Sequence, residues 1–175
     1  MKGAPLLSVA LRYGAAAGIL AALLLIGTYY IGGHPVMISP FLDFRLLLFG
    51  VFVFFTLKEL RDYHQQGVLY FWQGMIGALL VVLSASIIST AGMLVFGMLE
   101  KQFVTDYIVE MEKYLRTFNA AAIAQVGKEM YERNLALLPS TNITDLATTY
   151  FVQGLVLGFF VSIILSVIVR KHPKL

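Results

Sequence analysis

From Val68 to Leu99 the sequence runs without a single charged residue. Roughly 18 or more apolar residues in a row are enough for a helix to cross the hydrocarbon core of a bilayer. Leu46 to Leu57 is also free of charge, and between the two lies the polar run Lys58-Glu59-Leu60-Arg61-Asp62-Tyr63-His64-Gln65-Gln66-Gly67. This run is the elbow around which the chain is organised. Hydrophobic residues make up 59% of the chain and charged ones 13%, against about 45–50% and about 25% in a soluble domain. A soluble fold of this size wets too much of its surface to hide such an excess. The expected fold is an all-α integral membrane protein with four transmembrane helices and an amphipathic helical extracytoplasmic insert between the third and fourth.

The first helix is placed at residues 13–31, after a head carrying Lys2 and Arg12. It is longer than a signal core, and no small-x-small cleavage site follows at Ile31-Gly32-Gly33-His34-Pro35, so it reads as a retained helix. Tyr29 and Tyr30 suit the far interface. The second helix, residues 40–60, opens with Ser39 as N-cap, Pro40 at the first helical position and Asp43 near the positive end of the macrodipole. Arg45 reads as a side chain snorkelling to the outer interface near Asp43, ahead of an intramembrane functional charge. Lys58 and Asp62 are four apart, so a continuing helix would pair them, and Gly67 permits a tight turn. The third helix takes residues 70–99. At roughly 45 Å it is longer than the ~30 Å core and must tilt or project.

Residues 100–145 hold five bases against seven acids. Val104, Tyr107, Ile108, Met111, Leu115 and Phe118 recur at helical three- and four-residue steps, an amphipathic stripe. Asn119 and Gly127 interrupt it, Met130 to Leu138 suits a second short helix, and Pro139-Ser140-Thr141-Asn142 stops that one. Two helical pieces packing on each other or on the lipid surface are the plainer reading, ahead of a partner-binding face. Asn142-Ile143-Thr144 matches an N-glycosylation triplet, a pattern common by chance. Asp145 suits the first turn of the fourth helix, residues 146–169, after which come Arg170-Lys171-His172-Pro173-Lys174-Leu175.

Lys2, Arg12, Lys58, Arg61, Arg170, Lys171 and Lys174 gather at the head, the elbow and the last residues. Positively charged flanks stay in the cytoplasm. Both termini and the elbow are therefore expected there, with the insert outside. The net charge of +3 reads as orientation rather than nucleic-acid binding. Helices in lipid associate through close packing of small residues. Gly14 and Gly18 form one such pair, Gly74, Ala78, Ser86 and Thr90 a second line, and Gly154, Gly158, Ser162 and Ser166 a third. The third and fourth helices are expected to bury these lines. The second, rich in Phe49, Phe52, Phe54 and Phe55, is expected to face lipid over much of its surface.

The chain has no cysteine, which excludes disulfides, thiolate nucleophiles and cysteine-bound metals. H-E-x-x-H, G-x-S-x-G and G-x-x-x-x-G-K-[ST] are absent from it. His34, His64 and His172 lack metal-ligand spacing. No catalytic, cofactor-binding or metal-binding residue is assigned. The stretches 46–57, 68–99 and 146–169 contain no acid, base or histidine, which argues against a proton-coupled transporter. An acid–base site of Glu59, Arg61, Asp62 and His64 ranks well below an ordinary solvated turn.

Arg12-Tyr13-Gly14 with Gly18, then Leu57-Lys58-Glu59-Leu60-Arg61-Asp62 followed by Gly67, Phe71, Gln73 and Gly74, form a recognisable series. With the charged insert and the Gly-rich last helix, the chain resembles the bacterial membrane-protein family catalogued as domain of unknown function 4199. The family usually shows a double glycine after the elbow, where this sequence has Gln66-Gly67. The resemblance implies topology and localisation in the bacterial inner membrane and supplies no catalytic residue. It also implies a membrane-protein partner, a glycosyltransferase acting on lipid-linked substrates being the candidate, because members are often encoded near one. The leading expectation is a non-enzymatic scaffold or accessory subunit, in contact with membrane lipid and binding a protein partner or a second copy of itself. Its cytoplasmic docking patch would be Lys58, Glu59, Arg61 and Asp62, and its extracytoplasmic one the stripe from Val104 to Phe118. A small oligomeric carrier or channel for a solute or lipid is the alternative, with a lipid-modifying enzyme at the elbow last.

Overall fold

A computed structural model describes residues 3–39 and 42–172. Among the described residues the chain is all-helical. Four long helices form the body: α1 (Gly3–Ile31), α2 (Phe44–Glu59), α3 (Phe71–Leu99) and, after three short ones, α7 (Ile143–Val169). The short helices are α4 (Gln102–Arg116), α5 (Ala120–Val126) and α6 (Lys128–Leu137). Three helices, α1, α3 and α7, are long and apolar enough to cross a membrane. The 16 residues of α2 continue into a five-residue π-helical turn, Leu60–His64.

Contact positions give the directions. Along α1 and α3, Gly14 meets Val81 and Ser84, Gly18 meets Ala85 and Ile88, and Ala22 meets Gly92, so the two run parallel. Gly74 meets Ser166 and Gly158 meets Val82, so α7 is antiparallel to α3. Leu57 and Leu60 of the α2 end close over Gly77 near the start of α3. The bundle is therefore up-down-up-down, with α3 touching all three of the others. One end carries Arg12, the elbow, the start of α3 and the finish of α7. Leu69 and Lys171 form an isolated antiparallel bridge there, with both N···O distances 2.9 Å. The other end carries the turn after α1, the start of α2 and α4.

The apolar interior has two parts. One, centred on Phe49, Val53, Leu57, Ala78, Val81 and Ala85, fills the elbow half. The second, with Leu25, Met93, Phe96, Phe103, Leu146 and Tyr150, lies where α4 crosses the opposite end. α6 folds back on α4: Phe118 stacks on Tyr131, centroids 6.2 Å apart, and the Tyr131 hydroxyl donates to the Leu115 carbonyl. Asn119 caps α5 by accepting from Ala122 N, and Gly127, at φ 92°, separates α5 from α6.

Several boundaries differ from those read in the sequence. α1 begins at Gly3 rather than residue 13, because Val9 and Ala10 are buried against the elbow half of the core. α2 begins at Phe44, not residue 40. The N-cap is Asp43, whose side chain accepts from Arg45 N, rather than Ser39; Pro40 lies outside the described residues. α3 starts one residue later than expected, with Tyr70 as its N-cap. α7 starts three residues earlier, at Ile143, because Asn142 and Asp145 exchange a capping box: Asn142 Oδ1 accepts from Thr144 N and Asp145 N, and Asp145 accepts from Asn142 N. Phe49 is buried at 1% exposure rather than facing lipid, while Phe54 and Phe55 are exposed.

Candidate functional site

Asp43 and Arg45 are a lone acid and base at the mouth of an apolar run, and the structure folds them inward. Arg45 does not snorkel: it is 3% exposed. Its Nε donates to Asp43 Oδ2 at 2.8 Å, and Nη2 reaches the same oxygen. Nη1 donates to the Tyr150 carbonyl at 2.6 Å, and Nη2 also lies 3.4 Å from Gln153 Oε1. The guanidinium carbon sits 3.7 Å from the centroid of the Tyr150 ring, a cation–π contact. Gly154 gives this group room: a Cβ there would stand 3.2 Å from Nη1 and 3.1 Å from Ser86 Oγ. The planar fork of arginine suits several fixed acceptors at once. The assembly ties the start of α2 to α7, in a polar layer between the two apolar clusters. Its acceptors on α7 lie more than a hundred residues away in sequence, so only the Asp43–Arg45 spacing hinted at it.

At the elbow the structure distributes the four candidate docking residues unevenly. Glu59 accepts from Arg12 Nη2 (2.6 and 2.7 Å) and from the Tyr13 hydroxyl (2.8 Å), clamping α1 to α2. His64 Nε2 lies 3.9 Å from the same carboxylate. Arg61 pairs with Asp62 at 2.7 Å, and its Nη1 is 3.4 Å from the Val169 carbonyl, at the finish of α7. The Asp62 carboxyl is held below its ordinary value by the Arg61 hydrogen bond first. Lys58 is exposed and has no ion pair within 4.0 Å among the described residues, so the expected Lys58–Asp62 pair does not form. The reason is the π turn: its wider coil rotates residue 62 off the i, i+4 line. Gln66 and Gly67 follow with φ of 52° and 82°. Both are left-handed, the region where glycine carries no steric penalty. A double glycine there has an evident geometric reason.

The candidate packing residues sit at helix contacts. A Cβ on Gly14 would stand 2.9 Å from the Val81 carbonyl and nearer still to Ser84 Oγ; one on Gly18 would stand 2.8 Å from the Ala85 carbonyl. Gly158 abuts Val82, and a Cβ on Gly74 would stand an ordinary 3.4 Å from Ser166 Oγ. Ser162, fully buried, donates to the Gly158 carbonyl at 2.7 Å. Ser86 Oγ, Thr90 Oγ1 and Ser166 Oγ are buried without a hydrogen-bond partner.

At the far end, α4 docks on the turn after α1 through aromatic rings and carboxylates. Tyr29 OH donates to Asp106 Oδ2 at 2.7 Å. His34 is 3% exposed, its ring 4.5 Å from that of Phe103 and 5.2 Å from that of Tyr107. Nothing in the spacing of the histidines marked His34 as buried.

These features define an all-helical protein with three helices fit to cross a membrane, stitched by buried polar contacts at two levels. The family described as "protein of unknown function (DUF4199)" matches residues 12–171, and the chain belongs to it. No curated protein and no solved structure matches the chain.

Proposed function

We propose that the chain crosses the bacterial inner membrane four times and works without catalysis, as a scaffold or accessory subunit that docks a membrane-protein partner on its elbow. The observation that carries this reading is the fixing of Arg45. Among the described residues it is the one buried Lys, Arg, Asp or Glu, and it is held by Asp43, Tyr150 and Gln153. A relay or carrier needs an ionisable group that can change partners; a rigid platform needs the opposite. Four crossings are supported by the uncharged run of residues 46–57 within α2, bounded by Arg45 and Lys58. The 16 residues of α2 make roughly 24 Å of helix, and a span shorter than the ~30 Å hydrocarbon core is accommodated by local thinning of the bilayer. They are also supported by the antiparallel packing of α2 beside three longer helices. The bases Arg12, Lys58, Arg61, Arg170 and Lys171 share the elbow end, which supports a cytoplasmic elbow and an extracytoplasmic insert.

Lys58 is the docking residue to test, since Arg61 and Glu59 also hold the bundle. In mild detergent, Lys58→Glu is expected to lose a cytoplasmic-side partner that co-purifies with the parent chain, a glycosyltransferase acting on lipid-linked substrates being the first to look for by mass spectrometry. Identical partner profiles for both would remove the docking role. The unpartnered hydroxyls of Ser86, Thr90 and Ser166 favour one alternative, a small oligomeric carrier or channel with a wettable seam along α3 and α7. That reading expects solute uptake into vesicles containing the purified chain.

A further inference from the structure

α2 starts deep inside the bundle. Arg45, its second residue, donates to the Tyr150 carbonyl at 2.6 Å and would stand 3.2 Å from a Cβ on Gly154. Those two residues are the eighth and twelfth of α7, about 10–16 Å inside its start. Ser86, which meets Gly154 from α3, is thirteen residues short of Leu99, about 20 Å inside that helix. Side chains on a helix lean toward its N-terminus, so the Arg45 backbone is no shallower than its guanidinium. The 27 residues of α7 make about 40 Å of helix, about 10 Å more than the hydrocarbon core. With α7 centred on that core, α2 starts about 5–10 Å below the level where hydrocarbon begins elsewhere. Leu42, just ahead of the Asp43 cap, is outside the α-helix and exposed, and its N–H reaches the carbonyl of exposed Ser39. Irregular backbone is not tolerated against lipid hydrocarbon, so polar material has to descend to it.

The second observation lies directly below that level. The outer face of α2 forms one wall of a groove of about 750 Å³ that Asp43 heads and Leu47, Gly50, Val51 and Phe54 line, with Leu165 of α7 opposite. Its volume falls in the range of small-molecule sites. Gly50 keeps it open, since a Cβ there would meet nothing within 4 Å. We propose that the groove seats an acyl chain of one phospholipid from the leaflet on the α4 side, with its head drawn down to Leu42 and Asp43. A polar level above an apolar channel calls for an amphiphile. A phospholipid carries its head and hydration water to that depth, and bending the leaflet beside a short span costs little. A helix of a partner or of a second copy fits less well. Its apolar face would run past Leu42 and Asp43 and keep water from their backbone. This seat rests on the four-crossing reading, because α2 must lie in the bilayer to meet lipid.

The full chain is reconstituted in phosphatidylcholine vesicles. It has no cysteine and one tryptophan, Trp72 at the elbow end, so single probes can be placed cleanly. In a Trp72→Phe background, Phe44→Trp puts a fluorophore on the exposed first residue of α2. Its emission should be quenched more by lipid chains brominated near the head than by chains brominated near the methyl end. The reverse order overturns the seat. Native mass spectrometry then counts the phospholipid carried through detergent washes. Gly50→Leu fills the groove and should lose it, while Gly27→Leu, equally open but outside the groove, should keep it. Matching melting curves keep a loss of lipid from being a loss of fold. Equal retention by the two variants overturns the seat. So does a Gly50→Leu chain that turns from dimer to monomer with its lipid unchanged, which assigns the groove to a second copy. Gly33→Cys and Lys58→Cys, labelled by a membrane-impermeant maleimide in sealed vesicles, test the crossing separately. Labelling from opposite faces supports the crossing, so a failed lipid result then counts against the seat alone. Labelling from one face overturns both.

Discussion

Replacing Arg45 by methionine tests the polar layer directly. The side chain keeps much of its apolar stem, while the cation that holds Asp43 and the Tyr150 carbonyl disappears. Asp43, with 12% of its side chain exposed, is then a nearly buried carboxylate without a base. Breaking a buried pair by removing one partner costs about 3–5 kcal/mol. In a chain of this size each kcal/mol moves the melting temperature by about 2–4 °C, so Arg45→Met should melt about 6–20 °C lower in the same detergent. Arg45→Lys should fall between the two, because one ammonium cannot reproduce a fork with several acceptors. The double variant Asp43→Asn with Arg45→Met keeps a capping oxygen for the amide of residue 45 and removes the stranded charge. It should regain more than half of the loss. Thermal unfolding followed by circular dichroism gives the answer. An Arg45→Met chain that melts with the parent, or a double variant no better than the single one, would refute the clamp.

Three further outcomes follow from particular contacts. Gly158→Ala forces a Cβ onto Val82 and should destabilise the α3–α7 contact by about 1–3 kcal/mol; Gly27→Ala, with nothing within 4 Å, should be neutral or stabilising by up to about 1 kcal/mol. Denaturant titration of the two side by side checks both signs. Gln66→Gly relieves a left-handed φ of 52° and should raise stability by roughly 0.5–1 kcal/mol; a lower melting temperature would contradict the elbow geometry. His34 has its proton affinity lowered by burial from 6.5. The unfolded chain therefore takes up the proton first, and the stability of the α4 docking, fully present above that value, declines as pH falls below it. Hydrogen-exchange protection across residues 102–108, taken relative to the intrinsic exchange rate at each pH, should be lower at pH 5 than at pH 7, and His34→Asn should flatten the change.

The sequence makes the long apolar helices and the breaks at Asn119 and Gly127 readable because they depend on neighbouring residues: runs without charge, a capping side chain, a residue at positive φ. The departures have a common cause in partners remote along the chain. Arg12 looked like the end of a head, yet Glu59 holds it from 47 residues on, letting α1 extend through it. Ser39 and Asp43 are both good caps, and the choice of Asp43 goes with the inward turn of Arg45 toward Tyr150. The Lys58–Asp62 pair fails because a single π turn re-aims the residues after it, which no spacing rule anticipates. Of the candidate docking residues, the sequence marked the cluster but not the division of labour within it. Glu59 and Arg61 are spoken for by α1 and α7, and Lys58 points outward alone. His34 carried no signal, because its burial is created by α4, which arrives from the far side of α3.

The parallel contact of α1 with α3 bears on how such a chain is made. During synthesis α1 precedes its tightest neighbour by two helices, since it packs most closely not on α2 but on α3. Until α3 has emerged, the faces of Gly14 and Gly18 stay unmatched. The seam between α1 and α3 therefore closes along its full length only once the chain has been made as far as Gly92, which meets Ala22.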